Sequence, residues 1–422
     1  MSAQRLCPPG TFNSSRRSNS SGTCVNCSVG TYNPYPGQYS CNICSPGYYC
    51  DTVGATDQRS CPVGTYNLNG GSNSSKACIK CPVGTYNPNT GQWLCTTCEA
   101  GYYCDTVGAT SPSACPAGTY NPNGGSNSSQ ACIRCPVGSY AEYTGQSFCT
   151  TCSAGSYCDT VGASSQHECP AGTYNPNGGS NSSQACRNCP VGSYAEFTGR
   201  SFCTTCSAGY YCDTVRTSSQ HPCPAGTYNP NGGSNSSKAC VNCSVGSYTS
   251  SSGQSLCTTC SDGYYCDTVG ASSQHECPAG TYNPTRGSNS SQACRNCPVG
   301  SYTDYTGGSF CSTCSAGYYC GTVGASNPSP CPAGTYNPNK GSNSSKACVN
   351  CSVGSYTSYA GQSLCTTCSA GYYCDTVGAT AQRACPAGTY NPSRGSISSK
   401  ACLQCPGGSS NSSSTGQSSC TS

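Results

Sequence analysis

The cysteine spacing leaves this chain few folds to choose from. Cys7, Cys61, Cys115, Cys169, Cys223, Cys277 and Cys331 each open a unit of the form C-x16-C-x2-C-x13-C-x2-C-x5-C-x10, and none of these units gains or loses a residue. A last unit opens at Cys385 and keeps only Cys385, Cys402, Cys405 and Cys420. Self-similarity at a fixed period marks a repeat architecture, in which each unit buries surface mainly against its neighbours. The units are residues 7–60, 61–114, 115–168, 169–222, 223–276, 277–330 and 331–384, followed by a truncated 385–422.

Hydrocarbon cannot hold such units together. The hydrophobic fraction of 34 % counts 46 cysteines and 32 tyrosines, and the chain has only 5 Phe, 1 Trp and 1 Met. Small units without a conventional core need disulfides, metals or partners. Cysteine at about 11 % of residues is the composition of a disulfide scaffold. The 52 glycines and 28 prolines interrupt any helical pattern. The expected fold is therefore a set of small disulfide-rich tandem repeats with short irregular β-strands and turns, stacked as an elongated rod with almost no helix.

Six cysteines admit 15 connectivities. If every unit closes within itself in the same way, the truncated unit requires the first four cysteines to pair among themselves and the fifth with the sixth, which leaves three. Nesting needs a bridge inside C-x2-C, a strained ring suited to redox chemistry more than to scaffolding. Each odd-numbered cysteine opens a copy of C-x2-G-x-[YF], as in "CPAGTY", "CPVGSY" and "CSAGYY". That sub-motif favours neighbour pairing, with three small loops per unit.

The favoured pairs are Cys7–Cys24, Cys27–Cys41 and Cys44–Cys50, then Cys61–Cys78, Cys81–Cys95 and Cys98–Cys104, then Cys115–Cys132, Cys135–Cys149 and Cys152–Cys158. They continue as Cys169–Cys186, Cys189–Cys203 and Cys206–Cys212, then Cys223–Cys240, Cys243–Cys257 and Cys260–Cys266, then Cys277–Cys294, Cys297–Cys311 and Cys314–Cys320. Cys331–Cys348, Cys351–Cys365, Cys368–Cys374, Cys385–Cys402 and Cys405–Cys420 complete the set. Loop-closure entropy makes three such bridges worth roughly 8 kcal/mol per unit, comparable with the net stability of an ordinary domain.

Gly118 and its repeats precede Tyr120 by two residues, a spacing that predicts a positive-φ turn folding the ring back over the bridge. Leu94, Phe148, Phe202, Leu256, Phe310 and Leu364, each just before a fourth cysteine, are expected to add a second packing contact. The segment "NPNGGSNSS" has no apolar period and is expected on the surface.

Thiols at this density persist as bridges only in an oxidising compartment, so the expected location is extracellular or the cell surface. No signal peptide is visible in "MSAQRLCPPG", and no stretch approaches 18 apolar residues. The chain is therefore read as a piece of a longer secreted or membrane-anchored protein. The triplet N-x-[ST] recurs in one register at Asn19, Asn73, Asn127, Asn181, Asn235, Asn289 and Asn343, which are the candidate glycosylation sites. Further triplets at Asn13, Asn26, Asn242, Asn350 and Asn411 are weaker, three of them having cysteine in the middle.

Catalytic chemistry finds little footing. Lys+Arg 18 against Asp+Glu 14, without a basic run, argues against a nucleic-acid partner. The second to fifth cysteines read C-x2-C-x13-C-x2-C, the spacing of a ribbon-type zinc site, but zinc would leave two cysteines per unit unused. His167, His221 and His275 stand on separate units and are read as solvated linker side chains. Asp51, Asp105, Asp159, Asp213, Asp267 and Asp375 follow the sixth cysteine singly, a poor calcium set, and are read as turn residues. No phosphate loop, nucleophile elbow or H-E-x-x-H motif is present. The expectation is a non-enzyme with no catalytic residue, cofactor or resident metal.

The stretch "CPAGTYNPNGGSNSSQACIRCPVGSYAEYTGQSFCTTCSAGYYC" resembles the ephrin-receptor-like cysteine-rich repeats, which belong with the growth-factor-receptor and tumour-necrosis-factor-receptor-like cysteine-rich modules. The resemblance runs over essentially the whole chain. It implies a secreted or surface ectodomain and carries no kinase, whose signature motifs are missing. Near-identity of the units favours an extracellular structural, spacer or adhesive role over one dedicated pocket. The alternatives are a receptor ectodomain binding an extracellular protein or glycan, and a zinc-binding C-x2-C repeat protein.

Overall fold

A computed structural model describes residues 6–15, 23–406 and 413–420. The chain forms two compact units, Met1–Thr204 with Thr214–Ser219, and Thr205–Asp213 with Gln220–Ser422. Both are built from one kind of layer. Each layer begins at a C-x2-G turn, runs into a two-residue strand, makes a loop, and returns in a second two-residue strand antiparallel to the first. In residues 115–168 the pairs are Thr119–Tyr120 with Ile133–Arg134, Ser139–Tyr140 with Thr150–Thr151, and Ser156–Tyr157 with His167–Glu168. Helical structure among the described residues is limited to three-residue 3-10 turns such as Ser129–Ala131.

The turn follows from its residues. The Thr119 amide donates to the Pro116 carbonyl at 3.1 Å, and the Thr119 hydroxyl donates to the same oxygen at 2.6 Å. Gly118 supplies the positive φ, +81°, that the third position of such a turn requires. A strand pair this short is not stable by itself. In the first and second layers of a unit it is closed by a bridge just before the returning strand, such as Cys115–Cys132 and Cys135–Cys149.

The third layer is closed differently. Its bridge, Cys152–Cys158, ties only the turn to the end of the first strand. The returning strand is instead held by Gln166, whose Oε1 accepts from the Ser153 amide at 2.9 Å. Gln58, Gln220, Gln274 and Gln382 make the same bond in their layers.

Consecutive layers are joined by main-chain hydrogen bonds. From layer 61–80 to layer 81–97 the bonds are Gly64 N–H to Asn87 O at 2.9 Å, Asn67 N–H to Gln92 O at 3.1 Å, and Gly91 N–H back to Cys61 O at 2.8 Å. The next step repeats them with Gly84 to Cys104, Asn87 to Ala109, and Gly108 to Cys81. The one after has Gly101 to Asn121, Cys104 to Ser126, and Gly125 to Cys98. Buried peptide groups must be paired, and this ladder pairs them between layers that have almost no internal strand length.

The core is two side chains wide per layer: the opening cysteine and the residue six positions later. In residues 115–168 these are Cys115 with Asn121, Cys135 with Ala141, and Cys152 with Cys158, all buried. Elsewhere the second-layer position holds Asn33, Asn87, Ala195, Thr249, Thr303 or Thr357, also buried. The expectation that "NPNGGSNSS" lies wholly on the surface is corrected at its first residue. Asn121 is 0 % exposed, while Pro122 to Gly125 are exposed.

Burial of this amide is tolerated because its hydrogen bonds are made. Asn121 Nδ2 donates to Tyr102 O in the preceding layer at 2.8 Å and to Ser126 Oγ at 2.9 Å, and Oδ1 accepts from the Asn123 amide at 3.2 Å. Asn121→Ala leaves the Tyr102 carbonyl and Asn123 amide without these partners and opens a void, at an expected cost of about 3 kcal/mol. Hydrogen exchange at the Cys104 and Gly125 amides should then be roughly 100-fold faster. Asn87→Thr should change little, because Thr249 already fills the equivalent position, accepting from Gly226 N–H at 2.8 Å and donating to Thr227 O at 3.3 Å.

The tyrosines also depart from expectation. Tyr32, Tyr248, Tyr302 and Tyr356 have a packing partner that the spacing did not suggest. They pack on the bridges of the next layers, Cys44–Cys50, Cys260–Cys266, Cys314–Cys320 and Cys368–Cys374, each with a buried alanine. These four rings therefore help to join one layer to the next.

One position breaks the repeat. Where other third layers have glycine at φ near +77°, as at Gly270, one has Arg216 at φ +68°, the sole non-glycine with positive φ among the described residues. An L-residue in this conformation costs roughly 1 to 2 kcal/mol. Arg216 is held there by the same bonds as its glycine counterparts: its amide donates to Cys189 O at 2.9 Å.

Candidate functional site

Every cysteine lies in a bridge, 23 in all, with Cα separations of 5.5 to 6.3 Å. Each bond joins a cysteine to the next one along the chain. The last, Cys405–Cys420, spans 15 residues where its counterparts span 14. This overturns the zinc reading. The four cysteines whose spacing suggested a ribbon site, Cys24, Cys27, Cys41 and Cys44 in the first unit, belong to three different bridges. A thiolate ligand set therefore never forms. Among the described residues no group of His, Cys, Asp or Glu is placed to hold a metal ion.

The histidines are not linker side chains. His167, His221 and His275 sit in returning strands directly across from Tyr157, Tyr211 and Tyr265, with ring centroids 5.4 to 5.5 Å apart. The aspartates after the sixth cysteine face the same strands. Asp159 and Asp267 lie 4.0 and 3.8 Å from His167 and His275, while Asp51 and Asp375 pair with Arg59 and Arg383 at 3.2 and 3.4 Å. In these four layers the turn aspartate thus has a cross-strand partner. These pairs are exposed and contribute little to stability.

The recurring glycosylation triplets have a common geometry. Asn73, Asn127, Asn181, Asn235, Asn289 and Asn343 are all exposed. Each stands just before the serine that caps a 3-10 turn; Ser128 Oγ accepts from the Gln130 amide, and Ser182, Ser236, Ser290 and Ser344 repeat the bond. In the last unit Ile397 takes the place of the asparagine. Asn19 and Asn411 lie outside the described residues. Asn26, Asn242 and Asn350 are strand residues followed by a buried, bridged cysteine.

Concavity is slight. A cleft of about 220 Å³ is lined by Tyr157, Pro170, Thr173, Ser183, Cys186, Asn188 and Arg216. It brings together one cation and three hydroxyls but no general base beside a nucleophile.

Large side chains that spacing suggested would pack are mostly in solvent. Leu94, Phe148, Phe202, Leu256, Phe310 and Leu364 are 53 to 69 % exposed. A core two side chains wide has no room for them. Trp93, Tyr143, Phe197, Tyr305 and Tyr359 are exposed in the same loops. All lie in second layers, between the two strands. Arg200 stands 5.8 Å from the centre of the Phe197 ring. The Tyr143 phenol donates to the Glu142 carboxylate, and that hydrogen bond and charge push its pKa above the ordinary tyrosine value, so the ring stays neutral.

Residues 17–61, 69–115, 125–169 and 234–277 match the family described as tyrosine-protein kinase ephrin type A/B receptor-like. No curated protein matches the chain. No helix among the described residues is long and apolar enough to cross a membrane.

Proposed function

With ephrin-receptor-like cysteine-rich repeats as the starting point, we propose that this chain is an extracellular or cell-surface structural element, a spacer with adhesive capacity and no catalytic activity of its own. The observation that carries the reading is the main-chain ladder that recurs from layer to layer within each of the two compact units, with each layer covalently closed. Such a design adds length without adding a pocket, and its stability is close to a sum over nearest neighbours. The modules beginning at Cys7, Cys61, Cys115, Cys169, Cys223, Cys277, Cys331 and Cys385 are the units of that length. Repetition also multiplies any weak surface contact.

The same reading includes neighbour pairing of all 46 cysteines and N-glycans on the exposed asparagines Asn73, Asn127, Asn181, Asn235, Asn289 and Asn343. Exposed aromatic side chains on the second layers support a ligand-binding ectodomain as a second reading, with an extracellular protein or glycan as partner.

The test is expression of the full chain through a eukaryotic secretory pathway behind a supplied signal sequence. The expected product is secreted, free of thiols, bridged as above by peptide mapping, and shortened in apparent mass by peptide N-glycanase. A secreted product with free thiols, or one bridged across units, would overturn the reading.

A further inference from the structure

The chain leaves several of its largest side chains in water. Trp93 is 56 % exposed, and Phe148, Phe202 and Phe310 are 61 to 64 % exposed, so the one tryptophan and most of the five phenylalanines face water. All of them, with Tyr143 and Tyr305, stand on the loops between the strands of second layers.

The loops that carry them hold little net charge. "NPNTGQWL" at 87–94 has none, and "AEFTGRSF" at 195–202 has one acid, Glu196, and one base, Arg200. The loops at 141–148 and 303–310 have one acid each, Glu142 and Asp304. What flanks the rings is amide and hydroxyl: Gln92 beside Trp93, and Thr144, Gln146 and Ser147 between Tyr143 and Phe148.

We propose that these loop tips are stacking sites for the sugar rings of a neutral polysaccharide, one ring to a tip. A pyranose has an apolar face of C–H groups and a rim of hydroxyls. An exposed aromatic flanked by carboxamide and hydroxyl groups matches both, the ring taking the face and the polar neighbours the rim. Size decides against a protein partner. A stable protein contact needs on the order of 800 Å² from each side, whereas a tip offers two large side chains at most. The absence of net positive charge, with Glu142, Glu196 and Asp304 against the single Arg200, decides against sulfated or otherwise anionic chains. A polymer offers its unit repeatedly, as this chain offers its tips, and linked weak sites gain avidity by a factor of roughly 10² to 10⁴. This proposal rests on the adhesive part of the function above, not on the spacer part.

The experiment is affinity electrophoresis of the full, oxidised chain in gels containing hydroxyethyl cellulose, dextran or heparin, beside the variant W93S/F148S/F202S/F310S. Disulfide mapping first verifies that the variant keeps its bridges; these are exposed positions, so it should. The expected result is retardation of the natural chain by at least one neutral polysaccharide, weakened roughly tenfold or more in the variant, with no comparable effect of heparin. Three results would each overturn the proposal: no retardation by either neutral polymer, equal retardation of chain and variant, or retardation by heparin alone. Sedimentation of both proteins supplies a fourth. If the natural chain self-associates and the variant does not, the tips join copies of the chain and the proposal fails. In every one of these cases a chain with intact bridges leaves the spacer reading standing.

Discussion

Full reduction of the chain in the presence of a chelator is expected to abolish its structure, with loss of near-UV tyrosine signal, rapid cleavage by protease throughout the repeats, and uptake of two hydrogens for each of 23 bridges by intact mass. The argument is one of missing alternatives. Removing three bridges from a unit releases roughly 8 kcal/mol of constraint on the unfolded chain. What remains to oppose unfolding is a column of buried cysteine, asparagine, alanine and threonine with two-residue strands on either side. Burial at ~25 cal/mol per Å² of apolar surface cannot match the conformational entropy of ordering such a layer. Chelator without reductant should do nothing, since no thiolate is free to bind metal. A chain that kept its protease resistance when reduced and metal-free would show that something other than sulfur holds the layers.

Gly118→Ala is expected to be strongly damaging, costing more than about 3 kcal/mol locally. Two effects add. The residue sits at φ +81°, where an L side chain costs roughly 1 to 2 kcal/mol. A methyl group there would also fall inside the van der Waals envelope of the Gly162 carbonyl oxygen, two layers further on. That carbonyl is main chain and cannot swing aside, so the layers must separate, stretching the bonds Gly118 N–H to Ala141 O and Gly162 N–H to Cys135 O, now 2.8 and 2.7 Å. Hydrogen exchange across residues 115–168 should report the loss, and misfolded bridges on secretion should accompany it. Arg216→Gly supplies the opposite sign. It relieves a positive φ with no steric clash to remove, and should slow local exchange by about tenfold.

The repeat, its period and the three loops per unit were legible in spacing alone, because covalent closure is written in the order of cysteines. Spacing also exposed the C-x2-G turn, since a glycine two residues before an aromatic has a narrow set of uses. Other features were written in the sequence but not in any residue's character. Asn121 and Gln166 are polar letters in polar surroundings, and only the hydrogen bonds they make separate them from surface neighbours. A signal did exist for Asn121: the position six after each opening cysteine reads Asn, Ala or Thr in the first two layers and Cys in the third, which makes the three loops one motif. The phenylalanines and leucines before the fourth cysteine misled for the converse reason. Apolar character predicts burial only where there is an interior wide enough to receive it.

By itself the amino-acid order determined that the chain is a series of small cross-linked loops, because cysteine count, spacing and the lack of aliphatic residues leave sulfur as the main source of cohesion within a loop. Only the tertiary structure decided what each loop rests on: which carbonyl receives a given amide from the next layer, why an asparagine can lie at the centre, and which aromatic rings are left facing water. Those outcomes depend on contacts between residues some 20 to 45 positions apart. Main-chain groups make most of those contacts, and main chain is the part of a protein that every sequence shares.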